Sequence, residues 1–297
     1  MIIVKLVGGL GNQMFQYALG RHLAHLNNTE LKLDTSYLLD RRPRPNVVFR
    51  DFDLPIFNIK AEVASDKEVA AFTGSYTSKL RAYWHHRVTS KVFPPKVVRE
   101  TSPSYDPNIL ETEDNSYLVG YWQSEKYFKA IEDTIRADFT FKQPVLRESE
   151  PLAQAIRQSN SVCLNVRRTD FVTVPSSSET LGFVGSDYYK RAMANMEENM
   201  TDLHYFVFSD DLEWCKNNLK TRRPLTFVEH DHAGNKFCNY LQLMTFCKHF
   251  IIPNSTFAWW GAWLSKGEGK TVILPVKWFA SISVQHSSIH IDNWITV

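Results

Sequence analysis

The 297-residue chain is long enough for one large domain or two medium ones, and its 43% hydrophobic and 22% charged residues exclude a disordered or fibrous protein. A net charge of only +2 excludes nucleic-acid binding through a broad basic face, so any anion site must be local. Nowhere do about 18 apolar residues run together, which predicts no transmembrane segment.

The first apolar run, residues 2–6, is too short for a signal sequence, and the four cysteines (Cys163, Cys215, Cys238, Cys247) are scattered without metal-type spacing. Reduced thiols in a cytoplasmic protein are therefore expected, compatible with peripheral attachment at the inner face of a membrane.

Residues 2–6 read as a strand, followed by Gly8, Gly9 and Gly11 and a helix from about Asn12 to Leu26. This strand, glycine turn and helix matches only part of a dinucleotide fingerprint, because Met14 stands where a third small residue is wanted. That disfavours a nicotinamide-dependent oxidoreductase. The physical content remains: glycines admit a ligand close to the backbone, and helix-start N–H groups attract anions. Asn12 and Gln13 are expected to point into that mouth.

Residues 31–34 predict a second strand. Asp51 and Asp53 form a DxD triple of the kind that holds a metal in some sugar transferases, but such triples arise by chance and Pro55 marks a loop. The aromatic and basic stretch 76–91, with Tyr83 and Arg87, suits a half-buried amphipathic helix, or a substrate- or membrane-facing one. A strand at 117–120 leads to Trp122 and Gln123, an aromatic platform with an amide beside it, suited to the C–H face and hydroxyls of a sugar. Core packing is the alternative for this tryptophan. A helix over 124–139 follows, with Ser124 as its cap. The polar, proline-punctuated stretch that follows separates the expected domains, 1–143 and 152–297.

From residue 161 strand and helix alternate: strands at 161–166, 203–208, 225–228, 250–252 and 271–274, with helices between them. This is the pattern of a parallel sheet covered on both faces. In such sheets ligands bind at the carboxyl ends of the strands. There the chain places Asn165, Arg167, Arg168 and Asp170; then Ser209, Asp210 and Asp211; then Glu229 to His232; then Asn254, Ser255 and Thr256. Adjacent guanidiniums suit phosphate, although a strand end with solvated charges would look the same. Ser209 or Asp210 could equally cap the helix after the second strand, and Ser255 the one after the fourth. Trp259, Trp260 and Trp263 read as core, with one ring available to stack on a ligand.

Several segments together resemble the α-1,2-fucosyltransferases of glycosyltransferase family 11: residues 8–20 (GGLGNQMFQYALG), 120–128 (GYWQSEKYF), 165–171 (NVRRTDF), 208–214 (FSDDLEW) and 241–264. The resemblance implies an α/β fold of GT-B type, two Rossmann-like domains facing across a cleft. It also implies inverting transfer of L-fucose from GDP-β-L-fucose to O2 of a galactosyl glycan, with no metal and no cofactor beyond the co-substrate. Arg167, Arg168 and Asp170 match the family's HxRRxD motif, in which an arginine meets the donor pyrophosphate. Catalytic roles are thus implied for Arg168 and Asp170.

GDP-fucose contacts are expected from Gly9, Gly11, Asn12, Gln13, Asn165, Arg167, Arg168, Ser209, Asp210, Asn254, Ser255 and Thr256, and acceptor contacts from Trp122 and Gln123. Asn165 replaces the motif's histidine, so no role needing imidazole transfers to it. Beside two arginines Asp170 is a poor base and a better organiser, which leaves Asp210, Glu229, Asp231 and His232 as candidate bases. The alternatives are a fucosyltransferase of another linkage or donor, and a non-catalytic glycan- or nucleotide-sugar-binding protein.

Overall fold

Strand β1 (Ile2–Lys5) is apolar along three of its four residues, and these are buried on both faces, as a central parallel strand requires. The computed structural model describes residues 1–42, 48–74, 96–168, 184–279 and 288–297. Contacts divide the chain into two units, Met1–Lys142 and Gln143–Val297. The stretch read as a linker from 144 onward belongs to the second unit, where the Leu146 N–H donates to Asn239 Oδ1 (3.0 Å).

In the first unit β1 is followed by α1 (Leu10–Leu26), β2 (Leu31–Asp34), α2 (Ser36–Leu39), β3 (Glu62–Val63) and α3 (Asp66–Thr73). Then come β4 (Lys96–Arg99), β5 (Ser116–Val119) and α4 (Glu132–Asp138). The described strands form one parallel sheet in the order β3-β2-β1-β5-β4. The expected helix over 124–139 is broken into two 3₁₀ turns before α4, and Ser124 caps the first of them. Helix α1 lies close to the sheet because Gly20 carries no side chain. A Cβ there would stand 2.4 Å from Val4 Cγ2 and 2.8 Å from Leu31 Cδ1. The small residue missed at position 14 is thus supplied a turn and a half later.

The second unit contains α5 (Glu150–Gln158), β6 (Asn160–Val166), α6 (Ser186–Asn199), β7 (Leu203–Ser209), α7 (Leu212–Asn218) and β8 (Leu225–Phe227). It continues with α8 (Cys238–Met244), β9 (His249–Ile251), α9 (Thr256–Leu264), β10 (Val272–Leu274) and β11 (Ile295–Thr296). All described pairings are parallel, in the order β11-β10-β9-β6-β7-β8. Counted from β6 this is the doubly wound 3-2-1-4-5-6 order of a Rossmann sheet. The chain thus has the two parallel-sheet α/β units that a fold of GT-B type requires, the first with β5 next to β1 and β4 outside it.

Alternation along β6 sets the core. Val162, Leu164 and Val166 pack with Tyr189, Met193, Val207 and Ile251 on the α6 side, each large apolar side chain contributing about 1.5–3 kcal/mol by burial. Trp259, Trp260 and Trp263 are all buried against one another, and the Trp259 indole donates to the Ile289 carbonyl (2.8 Å), so none of the three offers a face to a ligand. The four cysteines are free thiols. Among the described residues no helix is long and apolar enough to cross a membrane.

Candidate functional site

In the second unit β6 is flanked by β7 on one side and β9 on the other, so the sheet changes winding direction between β6 and β9. A crevice opens at the carboxyl ends of the strands at such a switch point. Register fixes what meets there. Val166 pairs with Ser209 and Leu164 with Ile251, so the chain leaves β6 at Arg167 and Arg168 between segments 209–211 and 254–256.

Arg168 is held from three directions. Its backbone N–H donates to Asp210 Oδ1 (2.8 Å), its Nε to Asp211 Oδ2 (3.1 Å), and its guanidinium carbon lies 4.3 Å from the centre of the Trp214 ring. Asp211 also caps α7, its Oδ1 accepting the Trp214 N–H (3.0 Å), while Ser209 Oγ accepts the Asp211 N–H (2.9 Å). The cap is therefore Asp211 rather than Ser209 or Asp210, because the turn after β7 runs one residue further than the sequence suggests. Arg167 is half-buried beside it. Asp170, expected to organise Arg168, lies outside the described residues; among those described, Asp211 does this.

On the β9 side, Ser255 caps α9 as expected, accepting the Ala258 N–H (3.4 Å), with Thr256 as the first helical residue. Asn254 is buried and donates to the Trp278 carbonyl (3.2 Å). A helix of this length presents first-turn N–H groups and a partial positive charge at its start. Asn165 is also buried, its amide donating across the sheet to the Phe208 carbonyl (3.2 Å). The replacement of histidine thus leaves a group that joins β6 to β7.

The third strand end does not join this cluster. Because β8 lies outside β7, residues 229–232 sit at the sheet's outer edge. There Glu229 pairs with Lys216 (3.2 Å) and His232 Nδ1 meets Ser149 Oγ (2.9 Å). Their side chains serve local structure, as does the Asp210 carboxylate on the Arg168 N–H. Among the described residues no three His, Cys, Asp or Glu side chains gather as metal ligands. Of the DxD triple, Asp51 pairs with Arg41 and its carbonyl accepts from the Gln13 amide (2.8 Å), while the Asp53 N–H donates to Gln13 Oε1 (3.0 Å).

In the first unit the sheet reverses between β1 and β5, so residues 7–12 and 120–123 share its carboxyl edge. Gly8 sits at φ +78°, and a Cβ there would strike the Asn12 amide at 2.5 Å. Gly9 caps α1 and Gly11 is buried in its first turn. Gln16 ties the two strand ends, accepting the Val7 N–H (3.1 Å) and donating to the Gly120 carbonyl (3.0 Å). Gln123 Nε2 donates to Asn12 Oδ1 (3.0 Å), and Gln123 Oε1 is buried with no hydrogen-bond partner among the described residues.

Two expectations change here. Gln13 is fully buried, donating to the Gly8 and Asp51 carbonyls and accepting the Asp53 N–H (3.0 Å), so it holds a loop and meets no ligand. Trp122 is 1% exposed at φ +55°, edge-on to Tyr127, and cannot act as a platform; the exposed ring is Tyr121 at 46%. The cause is Glu100, whose carboxylate accepts the N–H groups of Tyr121 (2.7 Å) and Trp122 (2.9 Å) and turns the indole inward. Burial raises the Glu100 pKa, with those two N–H groups pulling it back. Glu100, Gln16 and Trp214 were not singled out in the sequence, and Asp211 only as one of the polar residues after β7. Gln16 and Trp214 stood in segments that carried the resemblance, whereas Glu100 stood in none.

The family model described as Glycosyl transferase family 11 matches residues 102–297. The alpha-1,2-colitosyltransferase of Escherichia coli is 31% identical over 303 residues, covering 100% of this chain and 99% of that one. The O-antigen biosynthesis glycosyltransferase WbnK of Escherichia coli is 32% identical over 311 residues, covering 98% and 99%. The galactoside alpha-(1,2)-fucosyltransferase 1 of Rattus norvegicus is 26% identical over 270 residues, covering 88% of this chain and 62% of that one.

Proposed function

The chain belongs to glycosyltransferase family 11, and from that premise we propose that it transfers L-fucose from GDP-β-L-fucose to O2 of a terminal galactose, with inversion, in one displacement. The observation that carries this reading is the convergence of Arg167, Arg168 and the start of α9 on the β6–β9 switch point. As the bond from fucose C1 to the β-phosphate oxygen breaks, negative charge grows on the departing GDP. A fixed guanidinium and the first-turn amides of α9 disperse that charge, and donors of this kind need no metal to do so. In the first unit Asn12 and Gln123, joined by a hydrogen bond at the carboxyl edge of the sheet, are the polar pair assigned to sugar hydroxyls.

A second donor is favoured by one observation: a relative matched along the whole chain is named a colitosyltransferase. Colitose is L-fucose without its 3-hydroxyl, so the two donors differ by a single hydrogen-bonding group. Sites that bind such a hydroxyl discriminate strongly against its absence.

The test is incubation with GDP-fucose or GDP-colitose and a β-galactoside in the presence of EDTA. GDP release with an α-1,2-linked product is expected, the preferred donor fixing the sugar. Binding of either donor without turnover would instead mark a nucleotide-sugar-binding protein, and a linkage other than α-1,2 would refute the acceptor assignment.

A further inference from the structure

We propose that Trp214 and Asp211 are positioning residues for Arg168, holding its guanidinium at the switch point before a pyrophosphate arrives. The inference rests on the reading of Arg168 as the pyrophosphate-binding arginine.

Three features carry it. The Trp214 ring lies 4.3 Å from the guanidinium carbon, within the range of a cation–π contact. Trp214 is half-buried, packed on one side against the core and in an edge contact with Tyr189 at 6.3 Å, so its ring joins the rigid core to the guanidinium. Asp211 divides its two oxygens between the start of α7 and Arg168 Nε, which locks the clamp to the helix that carries Trp214. A guanidinium paired at Nε and stacked on one face has its plane fixed, so a phosphate meets it edge-on. Arginine in place of lysine is needed for that arrangement, because a lysine ammonium has neither face nor fork.

The test is a double-mutant cycle on GDP affinity, measured by calorimetry, with guanosine as the control that lacks phosphate. Trp214→Leu is expected to weaken GDP binding roughly tenfold, the scale of a partly desolvated cation–π contact, and to leave guanosine binding unchanged. Trp214→Phe should recover to within about threefold by restoring an aromatic face. In an Arg168→Ala background the Trp214→Leu loss should fall below about twofold, since residues acting through one another are not additive.

Asp211→Asn keeps the helix cap, removes a carboxylate next to the anion and frees the side chain. It should lower kcat about tenfold through misplacement while leaving KM for the sugar nucleotide unchanged or lower. An equal Trp214→Leu loss in both backgrounds, a loss that extends to guanosine, no rescue by phenylalanine, or an unchanged kcat in Asp211→Asn would each overturn the clamp. If the parent protein bound no GDP at all, the functional reading itself would fall.

Discussion

Gln123 Nε2 donates to Asn12 Oδ1 at 3.0 Å while its amide oxygen is buried with no hydrogen-bond partner among the described residues. An unpaired buried acceptor costs about 1–3 kcal/mol, so Gln123 is held in this pose at some expense of stability. Gln123→Leu removes the orphan at the expense of one hydrogen bond, and the melting temperature is expected to stay within about 3 °C of the parent. Transfer activity, in contrast, should fall at least roughly tenfold in kcat/KM, as for loss of a hydroxyl-reading group. Paired melting curves and steady-state kinetics check this; a stability loss that tracks the activity loss would reduce Gln123 to a structural residue.

Arg168→Ala should lower kcat roughly a hundredfold or more, the scale of removing one preorganised donor to a developing anion. Arg168→Lys should recover little of it, since an ammonium neither stacks on Trp214 as a plane nor bridges Asp211 and a phosphate. A near-parental rate in either variant, measured by GDP release, would remove Arg168 from the mechanism.

The alternation of strand and helix in the second unit was legible because buried parallel strands read as unbroken apolar runs. What could not be read there was adjacency. Nothing local says that β9 pairs with β6 while β8 lies outside β7, yet that order brings Asn254 to Thr256 beside Arg168 and leaves Glu229 and His232 at the edge.

In the first unit the errors had a different origin. Asn12 and Gln13 are neighbours on a helix, so their side chains diverge by about 100°, and only the loop at 51–53 decides which is buried. Trp122 is turned inward by a carboxylate 22 positions earlier in the chain. β3 is two exposed residues whose strand character comes from pairing with β2 alone.

Gly20 supports a packing prediction. Alanine would gain up to about 1 kcal/mol of helix propensity, but its Cβ would press on Val4 and Leu31, both buried, so one of them or the helix must shift. Overpacking of this kind costs about 1–3 kcal/mol. Gly20→Ala is therefore expected to lose about 1 kcal/mol net, seen as a lower urea midpoint at unchanged slope. Stabilisation would mean that α1 can lift from the sheet freely.

The last prediction concerns acid. Glu68 accepts from Lys32 Nζ (2.5 Å) and from the backbone and hydroxyl of Ser65, closing a capping box at the start of α3 and tying that helix to β2. The Lys32 ammonium, then the Ser65 N–H, hold its carboxyl down at about 2, against an ordinary value of 4.5. Since the folded pKa lies below the unfolded one, the stabilisation is fully present above about pH 4.5 and is lost as pH falls toward 2. Both partners touch solvent, so the pair contributes about 1 kcal/mol.

Glu68→Gln isolates the charge, as glutamine also serves in a capping box. The variant should be less stable by about 1 kcal/mol at pH 7, with the gap constant down to about pH 4.5 and closing below it. Urea midpoints at pH 7, 5, 4 and 3 measure that gap, and one that persists undiminished at the lowest pH would show that shape rather than ionisation carries the contribution of Glu68.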